Sequence, residues 1–158
     1  MKPVQQTSFG KDEGNCFQAC LASIFEIDIE AIPFFQDYKS SWYDQFSLWL
    51  MSEFGLQPID LQITPNPDWI WIPQGYHIIN GLSPRGDFHH SVVGKAGQMV
   101  HDPHPSGDGL RTRESFTLFV AVDEAHLRRP LEWRLKDLQK RFETRPFVGY
   151  RKLNAPGK

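Results

Sequence analysis

The sequence predicts an α+β protein in which a helical N-terminal lobe packs on an antiparallel sheet. Apolar residues follow helical spacing as far as Gly55, and short β-branched and aromatic runs separated by Pro, Gly, Asn and Asp come after it. Helices first and strands afterwards, in place of strict alternation, favour α+β over a parallel α/β sheet. No repeat or Gly/Ser-rich linker divides the 158 residues, so we expect one folded unit.

Three helices are predicted in the first half. The run "CFQACLASIF" is expected to be helical from Cys16 to about Phe25. The segment "DIEAIPFF" indicates a short helix capped by Asp28 and stopped near Pro33. A longer helix is predicted over "SSWYDQFSLWLMSEFG", and Gly55 would end it.

The second half predicts a sheet. Short runs of β-branched and aromatic residues are typical of strands when turn-forming residues bound them. The runs are, in order, "LQPIDLQI", "WIWI", "YHIING", "HHSVVG", "QMVHD" and "FTLFVAV". We therefore expect an antiparallel sheet joined by short loops.

Charge is unevenly spread along the chain. Residues 1–127 hold 7 Lys and Arg against 16 Asp and Glu, whereas residues 128–158 hold 10 against 3. Four apolar side chains of this basic tail fall on one helical stripe: Leu131, Leu135, Leu138 and Phe142. We expect residues 1–127 to form the main domain and 128–158 a basic amphipathic helix packed on it. Nucleic-acid binding through the tail is a less favoured alternative.

The two cysteines indicate a reducing compartment. They are too few for a disulfide framework, and Cys16 and Cys20 lie at i,i+4, where a bridge within a regular helix would be strained. The N-terminal residues lack the apolar stretch of a signal peptide, and no segment is long and apolar enough to span a membrane. We expect a cytoplasmic protein with reduced thiols and no membrane partner.

The segment "HHSVVGKAGQMVHDP" predicts a hairpin that pairs a histidine with a carboxylate. If "KAG" is a three-residue loop with Gly97 in the left-handed conformation, His90 lies directly opposite Asp102. Opposed residues share a face of the sheet, with their Cβ atoms roughly 5 Å apart. A two-residue loop would instead place Ser91 opposite Asp102 and send His90 to the other face.

A histidine held by an aspartate is half of a nucleophilic site, which a thiol would complete. Cys16 follows "DEGN", so we expect it in the first turn of its helix, where free N–H groups and the helix dipole stabilise a thiolate. Cys20 lies one turn deeper. Its neighbours Leu21, Ile24 and Phe25 predict a buried, inert thiol.

These elements together resemble the papain-like cysteine peptidases, most closely the double-glycine leader-peptide peptidase domains of bacteriocin-exporting ABC transporters. The matching features are Gln6, the run "CFQACLA" from Cys16, His90 with "SVV", and "DP" at Asp102. They occur in the family's order and cover residues 5–122. The resemblance implies a papain-like fold and a peptide or protein substrate.

The resemblance also implies a mechanism. His90 would take the proton of Cys16, and Asp102 would orient the imidazole and stabilise its charge. The Cys16 backbone N–H and the Gln6 amide would stabilise the oxyanion. The result would be hydrolysis of a peptide, isopeptide or other amide bond, or acyl transfer if an amine replaces water. Neither a metal nor an organic cofactor is required.

The position of Gln6 departs from the family's pattern. Gln6 precedes Cys16 by 10 residues, which is more than in that family, and "FGKDEG" lengthens the connecting loop. Gln5, Asn15 or another amide therefore stays open as the oxyanion donor.

Two other interpretations of the site stay open. A divalent metal would have five candidate ligands: His89, His90, His101, Asp102 and His104. Neighbouring strand residues point to opposite faces, which disfavours such a site. The other alternative is a catalytically silent papain-like module that binds a peptide or protein in the same cleft. In either case, one Trp of "WIWI" and the loop "SPRGDF" would line the cleft.

Overall fold

The computed structural model describes residues 1–63 and 73–122 of the chain. These residues form two α-helices and five strands: α1 (Cys16–Phe25), α2 (Trp42–Phe54), β1 (Leu56–Gln62), β2 (Tyr76–Leu82), β3 (His89–Lys95), β4 (Gln98–His101) and β5 (Ser115–Ala121). Two 3-10 segments, Ile29–Ala31 and Phe35–Ser41, connect the helices. The predicted α+β class, with helices preceding an antiparallel sheet, is confirmed.

Three sequence predictions lie outside the described residues. They are the strand "WIWI", the domain boundary at residue 127 and the basic amphipathic helix within residues 128–158.

Helix α1 begins and ends close to the predicted positions. Glu26 follows its last turn in the left-handed conformation, with φ of 57°, and donates its N–H to the carbonyl of Ala22. Such a residue ends a helix because it directs the chain away from the helix axis. The extended N-terminal segment runs beside α1, where the Val4 N–H donates to Ser23 Oγ at 2.9 Å and the Lys2 N–H donates to the Ser23 carbonyl at 3.0 Å.

Helix α2 is amphipathic and ends at the predicted glycine. Its buried side chains follow helical spacing: Phe46, Trp49, Leu50 and Phe54. Gly55 has φ of 64° and donates its N–H to the last turn, which is the C-terminal cap expected of glycine. The predicted helix after Asp28 is a single 3-10 turn, because Pro33 lacks the N–H needed to continue it.

Both helices share one core with the sheet. Aromatic side chains dominate the contact between α1 and α2, where the rings of Phe17 and Phe46 lie edge to face with centroids 5.0 Å apart. From the sheet, Ile78 of β2 and Val93 of β3 complete this core, and both are fully buried. The apolar stripe of each helix therefore fixes it on one face of the sheet.

The strand order in the sheet is β1, β5, β2, β3 and β4, and every neighbouring pair is antiparallel. Strand β5 lies between β1 and β2, so the last described strand pairs with the first. None of the described helices is long and apolar enough to cross a membrane.

The β3–β4 hairpin differs from the one that the sequence predicts. Its loop contains only Ala96 and Gly97, both with positive φ, at 49° and 72°, and Lys95 pairs with Gln98. Positive φ at both central residues is characteristic of the type I′ turn, whose twist matches that of the flanking strands. The predicted three-residue loop is therefore wrong, and so is the direct pairing of His90 with Asp102.

A β-bulge then shifts the register of this hairpin. Gly94 pairs with Met99, but Val93 pairs with His101, so Val100 is the extra residue. If this register continues for one more residue, Asp102 lies opposite Val92. Val92 and His90 are two positions apart, so their side chains lie on the same face of β3. The extra residue thus restores the common face that an unbroken two-residue hairpin would have lost.

Candidate active site

The cysteine, histidine and glutamine singled out by the sequence meet at one cleft. Cys16 is the first residue of α1 and is partly exposed. It lines a cleft of about 880 Å³ together with Gln6 and His90. Because the first N–H groups of an α-helix have no partner within the helix, the Cys16 backbone is able to donate to a ligand there.

His90 connects Cys16 to Asp102. The imidazole Nε2 lies 2.8 Å from Oδ1 of Asp102, and both side chains are buried. The imidazole also hydrogen-bonds the Cys16 side chain, for which Nδ1 is the remaining nitrogen. The three side chains therefore form one hydrogen-bonded chain from the cleft into the protein.

Asp102 is held as a carboxylate by several donors. Oδ1 accepts the backbone N–H of His104 at 2.8 Å, Oδ2 accepts that of Gly109 at 2.8 Å, and Arg85 Nη1 lies 3.9 Å from Oδ2. Burial alone would raise the pKa of Asp102, but the hydrogen bonds from His90, His104 and Gly109 outweigh it and lower the pKa. Asp102 is thus a fixed negative acceptor for His90.

The surroundings of His90 favour its protonated form. Burial alone would lower its pKa, but the hydrogen bonds to Asp102 and Cys16, together with the charges of both groups, raise the pKa from 6.5 to about 9. A histidine with this pKa is an imidazolium at neutral pH and is suited to stabilise an adjacent thiolate.

Gln6 lies at the cleft in a well-defined position. Its backbone N–H donates to the carbonyl of Pro103 at 2.9 Å, and its side-chain Nε2 donates to the Ser8 carbonyl at 2.8 Å. An amide nitrogen carries two hydrogens, so one remains for a ligand. Gln6 Oε1 is buried without a hydrogen-bond partner among the described residues.

The alternative amides are placed differently. Asn15 is buried, and its side chain accepts the N–H groups of Thr7 and Ser8 at 3.0 and 2.9 Å and donates to Thr7 Oγ1 at 2.9 Å. These bonds hold the loop after Gln6 against the start of α1. Gln5 is exposed and does not line the cleft. Of the three amides, Gln6 is therefore the one that is both at the cleft and able to donate.

The second thiol is buried, as expected. Cys20 is fully inaccessible, and burial raises its pKa well above the ordinary value, with smaller effects from Cys16 and Asp102. Such a thiol stays protonated and out of reach of reagents.

The remaining histidines near the site have separate partners. His89 is exposed and hydrogen-bonds Glu114 at 2.9 Å, while His101 Nε2 donates to the Val4 carbonyl at 2.8 Å. His104 packs edge to face against Phe9, with ring centroids 5.3 Å apart. In the part of the chain that the structure describes, no three His, Cys, Asp or Glu side chains converge as a metal site would require.

Several residues that line the cleft were not singled out by their sequence pattern. Apolar walls come from Phe9, Phe17 and Trp42. The loop "SPRGDF", which was expected at the cleft, contributes Arg85, Asp87 and Phe88. A further group, named here the polar row, consists of Asp60, Asn80, Ser91, Ser115 and Thr117. The sequence signal that could have identified two members of the row is a polar residue two positions from an apolar core residue. These pairs are Asn80 with Ile78 in β2 and Ser91 with Val93 in β3.

Comparison of the chain with protein-family models, with curated proteins and with solved structures finds no match. The function is therefore inferred from the geometry of the site.

Proposed function

We propose that the protein is a cysteine-dependent hydrolase of papain-like fold that cleaves a peptide, isopeptide or other amide bond. The single observation that supports this most strongly is the hydrogen-bonded chain from Cys16 through His90 to Asp102, with its thiol end at an open cleft. Each group carries the charge or hydrogen-bonding capacity that nucleophilic catalysis requires.

The reaction begins from a thiolate–imidazolium pair, in which His90 Nδ1 carries the proton taken from Cys16. The thiolate attacks the carbonyl carbon of the substrate, and the oxygen becomes negatively charged. This oxyanion accepts hydrogen bonds from the Cys16 backbone N–H and from the free hydrogen of Gln6 Nε2. Asp102 keeps the proton of Nε2 in place, so that Nδ1 is the nitrogen that exchanges protons.

Collapse of the tetrahedral species breaks the bond to the leaving amine, which takes its proton from His90 Nδ1. The acyl group is then held on Cys16 as a thioester. His90, now neutral, removes a proton from water, and the resulting attack releases the carboxylic acid and restores the thiol. An amine in place of water would give acyl transfer by the same steps.

A cytoplasmic location is part of the proposal. The mechanism needs reduced thiols, and both cysteines are free. Thiols persist where glutathione and thioredoxin keep proteins reduced, as in the cytosol.

The proposal is tested by the rate of Cys16 alkylation with iodoacetamide from pH 4 to 9, read by intact mass. We compare the unmodified protein with His90→Ala and Asp102→Asn, and Cys16→Ser identifies the labelled site. The expected result is rapid labelling below about pH 7, where an isolated thiol is largely protonated, and loss of this labelling in His90→Ala. Cys20 stays unlabelled because it is buried.

An ordinary thiol titration in all variants would contradict the proposal. It is the result expected of a catalytically silent module that binds a peptide in the same cleft. Rapid labelling that survives His90→Ala would also count against it, because His90 would then not activate the thiol.

A further inference from the structure

The polar row crosses the sheet beside the proposed nucleophile. Asp60 of β1 pairs with Thr117 of β5, and Asn80 of β2 pairs with both Ser115 and Ser91. All five residues line the cleft that Cys16 and His90 share. Core residues occupy this sheet face only two positions away, at Ile78 and Val93. The face therefore changes from apolar to polar where it reaches the cleft.

One carboxylate fixes the direction of every hydrogen bond in the row. Asp60 accepts only, so the Thr117 hydroxyl donates to it. Thr117 must then accept from Asn80 Nδ2, at 2.9 Å, and the second hydrogen of that amide lies toward Ser115 Oγ at 3.3 Å. This orientation leaves Asn80 Oδ1 to accept from the Ser91 hydroxyl at 2.8 Å. The donors point step by step from Ser91 toward Asp60.

The Asp60 end of the row consequently presents acceptors to the cleft. The hydroxyl hydrogens of Ser91 and Thr117 and both amide hydrogens of Asn80 are used inside the row, whereas the Ser115 hydroxyl hydrogen is not. Asp60 keeps unused lone pairs and is exposed, although the Tyr43 hydroxyl also hydrogen-bonds it. Asp60 makes no salt bridge with any residue in the ranges 1–63 and 73–122. A negative acceptor without a cationic partner is suited to bind a ligand's ammonium or guanidinium.

We propose that the Asp60 end of the polar row is a subsite for a cationic side chain, lysine or arginine, of the substrate. This inference rests on the proposed function, because it assigns a substrate class to the same cleft. Thr117 donates to the carboxylate and is itself held by Asn80, so that less side-chain freedom is lost when the cation binds.

The dimensions of the sheet give the length of the row. From Ser91 to Asp60 the row crosses three strand-to-strand steps of about 4.8 Å, roughly 14 Å in all. An extended peptide advances about 3.3 Å per residue. A peptide that lies along the row would therefore span it with about four residues.

The other charged side chains that line the cleft do not give it a net negative charge. Arg85 donates to Ser106 at 3.0 Å and lies near Asp102 and Asp108, so its charge is engaged elsewhere. Lys11 and Lys39 also line the cleft, as do Asp12 and Asp87. Because the opposite charges balance in number, selectivity for a cation must come from the geometry at Asp60 and not from the net charge.

The test uses iodoacetamides whose nitrogen bears a straight alkyl chain that ends in an ammonium, a neutral hydroxyl or a carboxylate group. Chain lengths up to about 14 Å act as a ruler from Cys16. The rate of Cys16 alkylation is measured for each matched pair on the unmodified protein, Asp60→Asn, Asp60→Lys and Asp87→Asn. Asp87→Asn removes the same charge from another part of the cleft, and plain iodoacetamide on each protein normalises the intrinsic thiol reactivity.

We expect one range of chain lengths at which the ammonium reagent reacts about tenfold faster than its neutral match, the size expected of a charge-assisted hydrogen bond in a partly desolvated cleft. Asp60→Asn should reduce this ratio below about twofold, Asp87→Asn should keep it, and Asp60→Lys should favour carboxylate-ended reagents. A ratio near one on the unmodified protein, or an equal loss in Asp60→Asn and Asp87→Asn, would overturn the inference.

The two proposals fail in different ways. Plain iodoacetamide labelling that depends on His90, without any ammonium preference, would leave the hydrolase proposal standing and remove the cationic subsite. An ammonium preference that depends on Asp60, without any effect of His90 on plain iodoacetamide, would support a cation-binding cleft and contradict the hydrolase.

Discussion

His90 and Asp102 are joined by a hydrogen bond of 2.8 Å, although the strand register does not pair them. Asp102 follows the last residue of β4, and the bulge at Val100 turns it to the side of the hairpin on which His90 lies. Because Val100 bulges out of the ladder, Asp102 lies on the face of the hairpin that the proposed triad requires.

Deletion of Val100 tests this relationship. Without Val100, the two-residue loop continues as a regular ladder in which Val93 still pairs with His101 and Asp102 still lies opposite position 92. We expect a folded variant, because Val100 is exposed, in which Cys16 alkylation at pH 6 keeps its rate. One alanine inserted between Val100 and His101 instead moves Asp102 opposite position 91 and turns the carboxylate away from His90, so the rate should slow at least about tenfold. A folded insertion variant with the full rate would show that this register does not set the pair.

The raised pKa of His90 predicts a loss of stability at alkaline pH. Its pKa is about 9 in the folded protein against an ordinary 6.5, so the folded state binds the proton more tightly. The contribution is complete below pH 6.5 and is lost as pH rises through 9. Urea unfolding from pH 6 to 9.5 measures it. His90→Gln should make the free energy of unfolding depend less on pH in this range. An unchanged pH dependence would contradict the raised pKa of His90.

His77 predicts the opposite behaviour in acid. It is fully buried, donates from Nδ1 to the Gly75 carbonyl at 2.8 Å, and burial lowers its pKa despite that bond. Its stabilising contribution is therefore present above pH 6.5 and is lost as pH falls through the lowered pKa. His77→Phe should lose less stability than the unmodified protein between pH 7 and 4.5. The exposed His89→Gln serves as control, and equal acid sensitivity in all three proteins would refute the prediction.

Gly94, next to the bulge, has no room for a side chain. A Cβ there would meet the His77 ring and lie 2.8 Å from Ile79 Cδ1. Because both neighbours are buried, Gly94→Ala should destabilise the protein by about 1 to 3 kcal/mol in urea unfolding. At Gly75 a Cβ meets nothing within 4 Å, so Gly75→Ala is the matched control. Equal stability of the two variants would show that β3 shifts to accommodate the methyl group.

Local patterns predicted α1, α2 and the described strands well, whereas the helix predicted after Asp28 is a single 3-10 turn. The apolar spacing of α1 and α2, the glycine after α2 and the alternation in the strands act over a few residues, and each element lies close to its expected bounds. The burial of Cys20 also followed from its immediate neighbours. Such features are determined by short-range sterics and by burial of one face of an element.

The contact between His90 and Asp102 was expected for a reason that proved wrong. A three-residue loop and an unbroken ladder would give the same shared face as the observed two-residue loop followed by a bulge. The alternation of side chains along a strand shows only which face a residue lies on. A loop that is one residue shorter and a bulge that adds one residue leave the faces unchanged, so the alternation cannot reveal them.

By itself the sequence determined the α+β class, the bounds of the main elements and the candidate residues Cys16, His90, Asp102 and Gln6. Only the tertiary structure decided the bulge, the convergence of Cys16, His90 and Gln6 on one cleft and the polar row that ends at Asp60. The physical reason is that backbone hydrogen-bonding groups are alike at every position. Register and convergence therefore depend on packing between segments far apart in the chain, which no local pattern contains.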